Sequence, residues 1–245
     1  MRIGIIGSGN IGKTLARKFS ARGHTVTVAN SRGPETIDAE TLEFGARAAT
    51  SSDAVKGVDV VILSIPFARI PTLANLLASE VPGEVVIIDT SNYYPHRDGK
   101  IDAIERGQVE SLWVAEQLGR PIVKAWNAVL AGTFQEKGVP AGKPGRIAIP
   151  VAADSDEAKR VGMKLVDESG FDPFDAGSLA DSWRQQPGQP AYCTELTVEE
   201  MGAALAAADR TEAPKRRDMV LERLAASGEP FSREYILELN RTLFR

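Results

Sequence analysis

The chain opens on a short apolar run in which Ile3, Ile5 and Ile6 are separated only by glycine, the pattern of a strand buried on both faces. A helical rhythm replaces it at once. Leu15, Ala16, Phe19 and Ser20 fall on one stripe, and Gly23 ends it. Thr25–Ala29 is β-branched and reads as strand again. Later apolar runs predict further strands at Asp59–Ser64, Glu84–Asp89, Ile122–Asn127, Arg146–Val151 and Gly170–Asp175, with a short one at Ala46–Thr50. Helical patterns fall between them: Pro34–Phe44, a brief helix capped by Ser52-Asp53, then Arg69–Ser79, Ser111–Leu118 and Asp154–Ser169. This alternation predicts an α/β fold, a Rossmann-type doubly wound, mainly parallel sheet. Past Gly177 the pattern changes. Arg184–Tyr192 is polar and punctuated by proline, and no regular element is expected there. Three helical patterns close the chain, near Thr197–Ala208, Ala213–Ser227 and Arg233–Leu243; the last carries Tyr235, Ile236, Leu239 and Leu243 on one stripe. The expected division is a nucleotide-binding domain over 1–180 and a small C-terminal helical appendage over 181–245. The appendage closes either the open edge of the cleft or a homodimer interface.

The first turn carries the strongest chemical signal. Gly7-Ser8-Gly9-Asn10-Ile11-Gly12 is G-x-G-x-x-G, framed by strand, helix and second strand, which is the context that gives the motif meaning. Gly7 allows the tight turn out of the strand, Gly9 lets backbone approach a pyrophosphate, and Gly12 lets helix and strand pack closely. The helix N-terminus then points free N–H groups and its dipole at the anion.

The end of the second strand selects the dinucleotide. Where an NAD site places an acid for the ribose 2′-hydroxyl, this chain has Asn30-Ser31-Arg32. Asn30 removes a charge that would repel a 2′-phosphate. Ser31 offers a hydroxyl and Arg32 a guanidinium fork. NADP(H) is therefore the expected cofactor. Ser64, Ile65, Pro66 and Phe67 leave the fourth strand at its carboxyl end, where Ile65, Pro66 and Phe67 are expected to wall the riboses. Asn127, at the end of the sixth strand, is expected near the nicotinamide. Asp89–Pro95 is polar and aromatic, and fits a substrate mouth or turn chemistry equally.

Composition narrows the rest. Of 245 residues, 43% are hydrophobic and 25% charged, with a net charge of −4, which points to neither a nucleic-acid nor a membrane partner. Cys193 is the only cysteine, and His24 and His96 lack ligand spacing, so no metal site is expected. His24 reads as a loop residue and Lys215-Arg216-Arg217 as a solvated face. A strand beginning at Arg2, with no run long enough for a membrane span, fits a cytoplasmic protein without a leader peptide.

Four segments together carry a family resemblance: Ile5–Gly12, Ala29-Asn30-Ser31-Arg32-Gly33-Pro34, Val123-Lys124-Ala125-Trp126-Asn127 and Gln185-Gln186-Pro187-Gly188. They resemble the coenzyme F420-dependent NADP oxidoreductases, relatives of the NADPH-binding domain of membrane ferric reductases. The resemblance runs from about Arg2 to Ala191, and Asn-Ser-Arg-Gly-Pro is its most specific part. It implies NADP(H) lying across Gly7–Ile11 with Ser31 and Arg32 on the 2′-phosphate. It also implies direct hydride transfer between nicotinamide and a small-molecule acceptor, a deazaflavin (F420) or flavin ring. Such a reaction needs no acid–base residue, and no catalytic residue is expected. The helical tail matches no assigned part of the family. Two other classes stand beside this reading. One is a hydroxyacid or imine-type NADP dehydrogenase, whose Gly-x-x-Gly-x-Gly-x-x-x-Lys helix is missing here, with Gly162-Met163-Lys164 alone in its place. The other is a non-catalytic NADPH-binding sensor domain.

Overall fold

The fold is seen in a computed structural model that describes residues 1–227 and 232–244. Eight strands form one sheet: β1 (Arg2–Ile6), β2 (Thr25–Ala29), β3 (Arg47–Ala48), β4 (Val60–Leu63), β5 (Val86–Asp89), β6 (Val123–Lys124), β7 (Ala148–Ala153) and β8 (Asp172–Asp175). Their order is β3-β2-β1-β4-β5-β6-β7-β8, with every pair parallel except β6–β7. From β1 the chain winds first to β2 and β3, then returns to β4 on the other side of β1. The crevice at the carboxyl ends of β1 and β4 is therefore the topological switch point, where such sheets hold their ligands.

Among the described residues, the α-helices of seven residues or more are α1 (Asn10–Ala21), α2 (Ala74–Glu80), α3 (Glu110–Leu118), α4 (Asp156–Glu168), α5 (Val198–Ala206), α6 (Ala213–Ser227) and α7 (Arg233–Leu243). They cover both faces of the sheet. On one, Leu15 and Phe19 of α1 share a core with Ile3, Ile5, Val26 and Val28, and Leu165 and Val166 of α4 extend it over Val123, Ile149 and Val151 of β6 and β7. On the other, Leu77 of α2 and Trp113 and Val114 of α3 pack against Ile6, Val61 and Leu63. The tail docks onto this body: Met201 and Leu205 of α5 meet Ala148 of β7, while Val220, Leu239 and Phe244 cluster with Ala128, Tyr192 and Cys193. No described helix is long and apolar enough to cross a membrane.

The element boundaries depart from the sequence pattern in instructive places. The helix expected over Pro34–Phe44 is broken into a turn at Pro34–Thr36, one helical turn at Ala39–Leu42 and a further turn at Glu43–Gly45. Ile37 is the cause: buried against the core, it takes an extended backbone (φ −82°, ψ 123°) between the pieces. Likewise Arg69–Ser79 splits. Pro71 lacks the N–H that an α-helix needs, so Phe67–Leu73 winds as a 3₁₀ helix and α2 starts at Ala74. Thr50, rather than Ser52, caps the short helix Ser51–Val55, accepting the Asp53 N–H at 3.2 Å. β6 stops at Lys124, two residues before Trp126 takes a positive φ of 57°. Within Arg184–Tyr192 the polarity is as read, but the burial was not foreseen: Gln185 and Gln189 are fully buried and hydrogen-bonded. On α7 the apolar stripe is only half used, with Leu239 buried and Tyr235 exposed.

Candidate functional site

The glycine loop is shaped by close contact on two sides. Gly7 has φ 114°, and its N–H donates to the carbonyl of Ala29 at 2.8 Å while the Ser64 N–H donates to Ile6 O at 2.8 Å. A Cβ on Gly7 would strike the carbonyl of Ser64, and one on Gly12 would strike the carbonyl of Gly7. Gly9 differs. It is the N-cap residue of α1, contributes no side-chain cap, and a Cβ there would meet nothing within 4 Å. The first turn of α1 carries no acidic residue, so its N–H groups and the helix dipole face an open concavity.

That concavity is a cleft of about 500 Å³ with a base and two walls. Ser8 and Gly9 form the base. Asn30, Ser31 and Arg32 form the wall beyond β2, and Ser64, Ile65 and Pro66 the wall beyond β4. Asn30 ties its wall to the base: its Nδ2 donates to Ser8 Oγ (3.2 Å) and Thr36 Oγ1 (2.9 Å), and its Oδ1 accepts the Arg32 N–H at 2.9 Å. An amide can do this where a carboxylate cannot, because it donates as well as accepts. Ser31 and Arg32 stand exposed at the rim. No Asp or Glu among the described residues lines the cleft.

The structure brings nine of the expected residues to the cleft: Gly7, Ser8, Gly9, Asn30, Ser31, Arg32, Ser64, Ile65 and Pro66. Asn10, Ile11 and Gly12 form the first turn of α1 behind the loop, where only backbone serves a ligand. Two expectations are corrected. Phe67 is not part of the wall; its fully buried ring stacks on Trp113 at 4.6 Å, because the chain turns inward after Pro66. Asn127 does not line the cleft either. It is 2% exposed, its Nδ2 donates to Asn92 Oδ1 (3.1 Å) and to the Gln185 carbonyl (2.8 Å), and its Oδ1 accepts from Gln185 Nε2 (2.8 Å). The sequence reading missed Ser51, Arg69 and Thr72. Arg69 left a usable signal: a basic residue just past the strand on the far side of the switch point.

Beyond β5 and β6, the segment Asp89–Pro95 proves to be internal linkage. Lys124 Nζ donates to Asp89 Oδ2 at 2.6 Å and to the Ser91 carbonyl. Ser91 Oγ and Gln185 Oε1 are buried there without a protein partner. Glu110, 3% exposed, accepts the Tyr93 N–H at 3.1 Å, and burial raises its carboxyl above the usual range. Tyr94 and Tyr192 join their hydroxyls at 2.7 Å, and burial raises both phenols. The neighbouring Cys193 thiol is pushed up to about 12 by burial. Of the basic run, Lys215 is exposed as expected, but Arg217 is not: its side chain is 11% exposed and its guanidinium lies 5.8 Å from the Tyr93 ring centre. His24 is more than a loop residue, its Nε2 lying 3.0 Å from Glu168 Oε2 of α4. Among the described residues no group of three or more His, Cys, Asp or Glu is placed to hold a metal ion.

A doubly wound sheet with a carboxylate-free, glycine-based cleft at its switch point defines a dinucleotide-binding protein of the Rossmann class. The profile of the family described as NADP oxidoreductase, coenzyme F420-dependent, matches residues 2–93. The chain is 38% identical over 105 residues to the protein YjhV of Escherichia coli (strain K12), a match spanning 43% of this chain and 77% of that protein. It is 26% identical over 183 residues to the metalloreductase STEAP3 of Rattus norvegicus, covering 74% of this chain but only 35% of that protein. In three dimensions it resembles the protein SMa0349 of Sinorhizobium meliloti, with a TM-score of 0.70 at 30% identity over 80% of this chain and 95% of that one. The chain belongs to the F420-dependent NADP oxidoreductase family, a family of NAD(P)-dependent oxidoreductases.

Proposed function

We propose that this protein is an NADP(H)-dependent oxidoreductase that passes a hydride directly between nicotinamide and a small ring acceptor, a deazaflavin (F420) or a flavin. The observation that carries the reading is the cleft itself. Gly9 leaves room against the N–H groups of α1 for a pyrophosphate, and Asn30-Ser31-Arg32 stands where a 2′-phosphate would be read. When bound, the reduced nicotinamide supplies the hydride. The chain's own residues do the rest. Gly7, Ser8 and Gly9 seat the diphosphate, Ser31 and Arg32 select NADPH over NADH, and Ile65 and Pro66 keep water from the riboses. Among the described residues no histidine or lysine lines the cleft, and the proposed direct transfer calls for none.

An anaerobic assay of NADPH oxidation tests this, with F420, flavin and ferric chelate offered in turn. NADPH-specific turnover of deazaflavin or flavin is the expected result. Tight NADPH binding with turnover of a hydroxyacid or imine alone would replace the acceptor. Binding with no turnover of any acceptor would leave a sensor domain. In the same assay Arg32→Ala is expected to weaken NADPH about tenfold and NADH scarcely; equal losses would remove Arg32 from the 2′-phosphate.

A further inference from the structure

The cleft contains a second guanidinium that the family pattern does not account for. Arg69 lies on the 3₁₀ helix Phe67–Leu73 that follows β4, whereas Arg32 follows β2. In the sheet order β2-β1-β4, these two strands flank β1 on either side. Arg32 and Arg69 therefore stand on opposite walls of one cleft, with the glycine loop between them. Among the described residues neither arginine forms an ion pair with a carboxylate, and no acid lines the cavity that both border. Hydroxyls of Ser31, Ser51 and Thr72 complete its rim. Two arginines thus line one acid-free concavity in a chain whose net charge is −4.

Charge balance decides what they hold. The pyrophosphate has its own site at the N-terminus of α1, where the dipole contributes about half a positive charge. A monoester phosphate carries about −1.5 to −2 at neutral pH, more than one guanidinium offsets. We infer that Arg69 is the second arm of a two-arginine clamp that grips the adenosine 2′-phosphate from the β4 side while Arg32 grips it from the β2 side. The inference rests on the NADP(H) reading above. It gives the cleft a specificity-determining residue outside the Asn-Ser-Arg segment. Arg69 lines the cleft on an exposed turn and makes no side-chain hydrogen bond or ion pair among the described residues, so its replacement is expected to leave the fold intact.

The test uses the full chain and measures dissociation constants for NADPH, NADH, 2′,5′-ADP and 5′-AMP, for the wild type and for Arg69→Met, Arg69→Lys and Arg32→Ala. Arg69→Met is expected to weaken NADPH and 2′,5′-ADP about tenfold while changing NADH and 5′-AMP less than about twofold. Arg69→Lys is expected to recover most of that loss, and the salt dependence of NADPH binding to fall for each arginine removed. Equal losses for phosphorylated and unphosphorylated ligands would place Arg69 on the adenine and overturn the clamp. No loss for any ligand would overturn it as well. In both cases a wild type that still prefers NADPH leaves the NADP(H) reading standing. A wild type that binds no dinucleotide would remove the reading and the clamp together.

Discussion

Lys124 Nζ lies 2.6 Å from Asp89 Oδ2 with both side chains fully buried, a direct ion pair between the carboxyl ends of two neighbouring parallel strands. Burying two charges costs several kcal/mol each, and the pair is tolerable because the ammonium also donates to the Ser91 carbonyl and the carboxylate also accepts the Ser91 N–H at 3.1 Å. Lys124 therefore fixes the turn after β5 from below, and through Asn92 it fixes the amides of Asn127 and Gln185.

Removing one partner leaves the other as an uncompensated buried charge. Lys124→Met is expected to destabilise the fold by about 3–5 kcal/mol, whereas Lys124→Met combined with Asp89→Leu should recover much of that. Urea unfolding of the two single variants and the double variant measures it. Losses that simply add would mean the two groups are not coupled.

Cys193 is the only cysteine, so thiol chemistry reports on one place. Its thiol is buried and held up at about 12, so almost none is thiolate at pH 8. Reaction with Ellman's reagent is expected to be slow in the native protein and immediate in urea. The native rate should follow opening of the packing between Tyr192, Val220, Leu239 and Phe244. Rapid labelling of the folded protein would show that the tail does not seal this cluster.

How much of this was legible depended on whether the physics was local. The β1–α1–β2 unit followed from its periodicity and its glycines, because both act within a few residues. At Asn30 the absence of a charge is legible in the sequence, because it is local. The bonds of Asn30 to Ser8 and Thr36 are not, because they depend on where two loops meet. Phe67 and Asn127 went wrong for one reason: each stands at a strand's carboxyl end, but whether such a residue faces the cleft or the interior depends on the next turn of chain. The burial of Gln185 and Gln189 was hidden because their polarity is satisfied by partners as distant in sequence as Asn127 and by the backbone of Asp209.

The open face of Gly9 gives the cleft a sharp steric test. Its Cβ position meets no protein atom, so Gly9→Val should fold normally yet occupy the space reserved for the diphosphate. Loss of most NADPH affinity with an unchanged melting temperature is expected. Gly12→Val should instead lower the melting temperature, since its side chain strikes the Gly7 carbonyl. Unaltered NADPH affinity in Gly9→Val would move the diphosphate elsewhere.

Glu110 gives the fold a pH dependence whose sign can be worked out. Its carboxyl is raised by burial, an effect larger than the opposing pull of the Lys124 and Arg217 charges and of its bonds from Gln186 and the Tyr93 N–H. A carboxyl with a higher pKa folded than unfolded binds its proton more tightly in the native state. Its contribution is therefore fully present below the ordinary carboxylate range and is lost as pH rises through the raised value. Glu110→Gln keeps an acceptor for the Tyr93 N–H and removes the ionisation. The melting temperature of this variant relative to the wild type is expected to be higher at pH 8 than at pH 5. An equal difference at both pH values would mean that Glu110 ionises no differently in the folded and unfolded chain.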